Sequence, residues 1–298
     1  MTFCDAEGVP PHLRFPSDEF VLCAFAASSL GTLAGTTVRK KLASLKAWHN
    51  IHNLEWRGGP RLNLVVNGVS NLAPQSSRKP PRPSVNSTML SQLIQSLNLQ
   101  DPLDAAVAAC ASVAFWAQCR IGELLPTSSS DLSTVTKPSR SNIRRSKRNT
   151  HSLVLFLPRT KTKRHGEDVV LTSQEGTSDP IMRLHHHIKL NKLNKHLPLF
   201  TYRSRSGPRS LTIHRFLERC NTIWQKLGYP RTTGHCFRIG GTTELLIAGV
   251  PPEIVKSMGR WSSDAFFRYW RSLEDIVPQY AQNINMRISR KRKRGESS

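Results

Sequence analysis

The chain has 298 residues, 38% of them hydrophobic and 21% charged, so two globular domains fit within it. Its 43 Lys and Arg against 20 Asp and Glu leave a formal net charge of +23. That field attracts polyanions and makes nucleic acid the leading partner, ahead of a ribosome-like structural role or an acidic protein partner. No run of about 18 apolar residues occurs, which argues against a membrane-spanning helix and a membrane partner.

The start, MTFCDAEGVPPHLRF, lacks the basic-then-apolar order of a secretory signal, so the chain reads as soluble and intracellular. Residues 17–72 read as helices. The first runs through DEFVLCAFAASSL, capped by Ser17 and broken at Gly31. The second, VRKKLASLKAWHNIH, takes Thr36 or Thr37 as cap. Val38, Leu42, Leu45, Trp48 and His49 follow its helical period, while Arg39, Lys40, Lys41 and Lys46 decorate the outside. A third helix is expected at 62–72. The segment APQSSRKPPRPS (73–84), with Arg78, Lys79 and Arg82, reads as an extended basic linker.

Beyond it, NSTMLSQLIQSLNL (86–99) predicts a helix, and DPLDAAVAACASVAFWAQC (101–119) predicts a central one, apolar nearly all round. Asp101 suits its N-cap, Pro102 its first position, and Asp104 its positive end. SLVLFLP (152–158) and VVLT (169–172) then form a two-stranded hairpin bending at Gly166, after which the pattern is helical again.

Residues 137–148 hold six Lys and Arg, Arg144, Arg145, Lys147 and Arg148 among them, in what reads as a loop that contacts DNA backbone or is merely solvated. Residues 287–294 hold six more and suggest nuclear import. The six cysteines form no CxxC pair, so buried free thiols are expected. His185, His186 and His187 are consecutive and point in different directions on a helix, so no metal is expected there.

Three places carry chemistry. Arg120 follows the apolar helix as a dipole cap or a phosphate ligand, and Glu123, three positions on, is able to hold it by a bidentate pair. In GHCFRIGGTTELL (234–246), His235 and Arg238 face one way on a helical turn, and Gly240 and Gly241 permit close packing. GRWSSDAFFRYW follows, with Trp261 ahead of a helix start and Tyr269 eight residues on.

The order R-x-x-E, a hairpin lysine, H-x-x-R, G-x-W and a late tyrosine resembles the tyrosine recombinase (phage-integrase) superfamily. In that resemblance Arg120 and Glu123 match the first arginine box, and His235 and Arg238 match the second. Trp261 stands at a position where many members have histidine, and Tyr269 matches the nucleophile. Within RTKTK (159–163), Lys161 is the better match for the hairpin lysine and Lys163 the fallback. The likeness covers about 85 to 275, and more loosely the helical segment before it, which is short of its first part. TVRKKLASLKAWH, FRIGGTTELL and GRWSSDAFFRYW are similar to recombinases of eukaryotic, notably fungal, transposable elements.

The resemblance implies a mostly α protein with a small β-hairpin or sheet. A helical core-binding domain (1–72), the linker (73–84), an α+β tyrosine-recombinase catalytic domain (85–285) and a basic tail (286–298) follow in order. It implies double-stranded DNA as substrate, no cofactor, a homo-tetramer on DNA, and strand transfer through a 3′-phosphotyrosyl link. Tyr269 would be the nucleophile, Arg120 and Arg238 the phosphate clamp, Lys161 the proton donor to the 5′-oxygen, His235 the proton-transfer aid, and Trp261 an indole donor. The Trp261–Tyr269 interval is one residue shorter than the common pattern. A nucleophile displaced by about 1 Å can lose on the order of a hundredfold in rate, so activity stays open. The rivals are a decayed or domesticated DNA-binding protein of the same fold, a type IB topoisomerase, and a basic RNA-binding or chromatin protein.

Overall fold

The computed structural model describes residues 2–77, 83–147, 149–261 and 266. The chain divides into two compact units, Met1–Pro81 and Arg82–Ser298.

The first unit is helical: α1 (Thr2–Ala6), α2 (Pro11–Arg14), α3 (Glu19–Ala27), α4 (Gly35–Ile51) and α5 (Pro60–Asn71). Its core joins Leu22, Cys23 and Ala26 of α3 to Val38 and Leu42 of α4 and Leu62, Val66 and Val69 of α5. Glu19 accepts from the Gly59 and Leu62 amides at 2.9 and 3.3 Å, so a carboxylate of α3 occupies the positive end of α5. Two expected caps are corrected. Asp18, not Ser17, caps α3: the Asp18 carboxylate accepts from the Phe20 amide, while the Ser17 hydroxyl is turned back to the Arg14 carbonyl at 2.5 Å. α4 starts at Gly35 behind Ala34, with no side-chain cap from Thr36 or Thr37.

The second unit is built around α7 (Pro102–Trp116), which Asp101 caps through the Leu103 and Asp104 amides; every residue from Asp104 to Phe115 is buried. An all-round apolar helix must be enclosed on every side. Around it stand α6 (Ser87–Ser96), α8 (Ile121–Leu124), α9 (Pro180–Leu190), α10 (Ile213–Lys226) and α11 (Gly234–Ile247), and α12 (Pro252–Met258) packs on α11. Glycines let α11 close on its neighbours, since a Cβ on Gly240 would overlap the Val85 carbonyl oxygen and one on Gly241 that of Phe115. Arg219 of α10 grips Asp104 with two 2.7 Å bonds, and the Trp224 indole donates to the Met89 carbonyl at 2.9 Å.

The hairpin pairs β2 (Ser152–Leu157) with β3 (Glu167–Thr172), Leu155 opposite Val169. Gly166, at φ +74°, takes the left-handed turn. Two strand sets were not expected. The 137–148 run is not all loop, because β1 (Ile143–Arg145) adds an edge strand antiparallel to β2. A second hairpin, β4 (Thr201–Ser204) and β5 (Gly207–Ser210), interrupts the stretch read as helical. All six cysteines are free thiols, five of them buried. Among the described residues no helix is long and apolar enough to cross a membrane.

Candidate active site

Arg120 does not sit at the C-terminus of the apolar helix as expected. α7 ends at Trp116, Gln118 turns the chain at φ +50°, and Arg120 becomes the residue that opens α8. Position three of so short a helix faces back toward its start, which is where Glu123 lies. Its Oε1 accepts from Arg120 Nη1 at 2.7 Å and its Oε2 from the Arg120 amide at 3.0 Å. The pairing therefore combines side chain and backbone rather than the expected two-pronged guanidinium grip. It leaves the rest of the guanidinium facing outward, with the side chain 27% exposed.

A cavity of about 370 Å³ opens there, lined by Arg120, Glu123, Lys137, Arg159, Thr160 and Lys161. Lys161 comes from the β2–β3 connection, where Thr160 and Lys163 close a tight turn by paired bonds of 3.0 and 3.1 Å. The turn sends Lys161 into the cavity lining and Lys163 to Glu167, 3.5 Å away. Arg120 and Lys161, 41 positions apart in sequence, thus share one opening.

A residue the sequence reading did not single out ties this site together. Arg260, 7% exposed, donates to Glu123 Oε2 at 2.7 Å and to Glu167 Oε1 at 3.4 Å. One guanidinium joins the α8 start to the loop end of the hairpin. It sits at φ +60°, in the left-handed region, just after α12. Burial alone would raise the Glu123 carboxyl; the Arg260 charge and the hydrogen bonds from Arg120 outweigh it and hold the pKa below the ordinary 4.5. Glu123 is therefore a carboxylate at neutral pH. The only sequence signal for Arg260 was an arginine between Gly259 and Trp261, and its partners lie 93 and 137 positions away.

Arg238, on α11, is fully buried. It donates to the Gln118 carbonyl at 2.8 Å and to the Gly259 carbonyl, and its guanidinium lies 4.2 Å from the centre of the Trp261 ring. His235 begins the same helix, half-buried, one residue after Gly234, which packs so closely on Ile121 of α8 that a Cβ would lie 2.9 Å from its Cγ1. Glycine there brings the H-x-x-R helix against the residue following Arg120. The Gly259–Trp261 segment thus touches both boxes: Arg260 reaches Glu123, and Gly259 and Trp261 meet Arg238. Phe266 is 1% exposed and packs 5.3 Å from Trp261. Tyr269 lies outside the described residues.

Of the other basic residues singled out, Lys40, Lys41, Lys46, Arg145 and Lys147 are exposed. Arg39 is committed to Asn67 at 2.7 Å and Arg144 to Asp168 at 2.6 Å. Arg78, Lys79, Arg82, Arg148 and the tail 287–294 lie outside the described residues. The three histidines diverge: His186 meets the Leu99 carbonyl, His187 the Leu199 carbonyl, and His185 is exposed. No group of three His, Cys, Asp or Glu able to hold a metal occurs among the described residues.

The sequence matches no protein-family model and no curated protein. Solved structures do match. The XerH site-specific recombinase in its post-cleavage complex with a palindromic difH substrate superposes with a TM-score of 0.58 at 14% identity, covering 89% of this chain and 71% of that one. Its pre-cleavage complex gives 0.52 at 13%, covering 90% and 70%. The Tn1549 transposon integrase in complex with transposon right end DNA gives 0.54 at 15%, covering 89% and 85%. The chain has the tyrosine-recombinase fold. With identities this low the likeness is one of fold, and the side-chain geometry above is what speaks to chemistry.

Proposed function

We propose that the chain is a site-specific DNA recombinase or integrase that cuts and rejoins double-stranded DNA through a 3′-phosphotyrosyl intermediate. The observation that carries this reading is the shared cavity, in which an arginine held by a carboxylate and a hairpin lysine face the same space. Preorganised cations stabilise the charge that builds on non-bridging phosphate oxygens. In the proposed reaction Tyr269 Oη attacks phosphorus, the 5′-oxygen leaves with a proton from Lys161, and the phosphate remains on the tyrosine. Arg120 holds a non-bridging oxygen, His235 takes part in proton transfer at the tyrosine, and Glu123 orients Arg120. Rejoining runs the steps backwards, so no external energy source is required.

The first unit serves as a helical DNA-gripping domain through Lys40, Lys41 and Lys46, and four copies assemble on two DNA sites. The phrases resembling fungal transposon recombinases and the basic tail support a mobile-element enzyme working in a nucleus. One observation favours the rival reading of a DNA-binding protein that no longer cuts: Arg238 spends two of its donors on backbone carbonyls inside the protein.

Nicked duplexes, which lose the rejoining strand, separate the readings. The parent is expected to form an SDS-resistant adduct, while Tyr269→Phe binds the same DNA and forms none. Salt-sensitive binding without an adduct from the parent would favour the non-cutting protein.

A further inference from the structure

The cavity holds four cations, Arg120, Lys137, Arg159 and Lys161, against the single carboxylate of Glu123. Both Glu123 oxygens are already engaged by Arg120 and Arg260. Among the described residues no carboxylate lies within ion-pair distance of Lys137. Four cations around one opening, with one carboxylate among them, make a field that attracts an anion.

Lys137 is also placed rather than loose. Its ammonium donates to the Gly122 carbonyl inside α8, two residues from Arg120. The backbone after it is pinned twice. Pro138 accepts from the Leu199 amide at 2.7 Å, and Ser139, 3% exposed, takes part in a bridge to Pro198 and donates its amide to Asn142 Oδ1 at 2.8 Å. An ammonium has three protons, and the Gly122 bond uses one of them.

We propose that Lys137 is a further phosphate-contacting residue of this cavity, gripping the same DNA phosphodiester as Arg120 and Lys161. This rests on the strand-transfer reading for its catalytic part and on the cavity alone for its binding part. Burial holds the Lys137 ammonium below its ordinary 10.5 against the pull of Asp131 and Glu123, with Arg159 lowering it further.

The test compares the parent chain with Lys137→Gln and Lys137→Arg on the nicked duplexes, measuring affinity over a salt series, the rate of adduct formation and the thermal midpoint. Loss of one phosphate contact lowers the slope of log affinity against log salt by about 0.9. Lys137→Gln is expected to show that loss and to form adduct at least about tenfold more slowly. Lys137→Arg should restore the slope, and the three thermal midpoints should agree. A Lys137→Gln protein with the parent's slope and the parent's adduct rate overturns the proposal. If the parent itself forms no adduct, the strand-transfer reading fails while the slope still decides whether Lys137 touches phosphate.

Discussion

Arg260 shows how one buried cation is made tolerable and what it does in return. At 7% exposure it faces Glu123 at 4% and Glu167 at 10%, so each charge is desolvated against an opposite one. Breaking such a pair strands the remaining charge, which costs about 3 kcal/mol or more. Arg260→Met is therefore expected to destabilise the protein by about that amount in urea unfolding. Its effect should couple to Glu167→Gln by about 1 kcal/mol in a double-mutant cycle. Additive effects would show that Arg260 does not bridge α8 to the hairpin.

His187 makes a pH prediction at the same scale. It is fully buried, its Nε2–H donates to the Leu199 carbonyl at 2.9 Å, and its Nδ1 accepts from Asn191 at 2.9 Å, which fixes the neutral tautomer. Burial pushes its pKa down from 6.5 to about 4. The unfolded chain takes a proton below pH 6.5 and the folded one does not until about pH 4. Stability contributed above pH 6.5 is thus lost as the pH falls through that window, by about 3 kcal/mol. His187→Gln, which keeps a donor for Leu199, should flatten the unfolding free energy between those limits. An unchanged acid slope would mean that His187 does not govern it.

Among the elements, α11 carries the most consequence per residue. Gly234, Gly240 and Gly241 let it touch α8, the Val85 backbone and the α7 backbone, and this sets where His235 and Arg238 lie. Backbone cannot move aside as a flexible side chain can, so Gly240→Ala is expected to cost about 3 kcal/mol, read as a lowered denaturant midpoint. A midpoint equal to the parent's would contradict the close approach. The elements also show what sequence could convey. α7 and its Asp101 cap were legible because apolar residues and a cap signal agree locally. R-x-x-E and H-x-x-R were legible because each pair sits within one turn. β1 was hidden by its charge, since Ile-Arg-Arg is an edge strand paired on one side. β4 and β5 were hidden by brevity and polarity. Cap positions failed where neighbours compete: Ser17 and Asp18 are both cap formers, and the Ser17 hydroxyl is used on the Arg14 carbonyl, which leaves the cap to Asp18. Arg260 and Lys137 take their meaning from contacts far along the chain, which no local pattern contains.

For the molecule as a whole, the +23 charge gives a field that attracts a polyanion, and the proposed function adds that one of its phosphates is the reacting centre. In the proposed reaction the strand transfer passes through Tyr269. The most direct test traps the adduct on nicked DNA, digests both protein and DNA, and locates by mass spectrometry the residue that carries the nucleotide. The remnant is expected on Tyr269, within the tryptic peptide that follows Arg268. A remnant on any other residue, or a chain that binds the DNA and carries none, would contradict it.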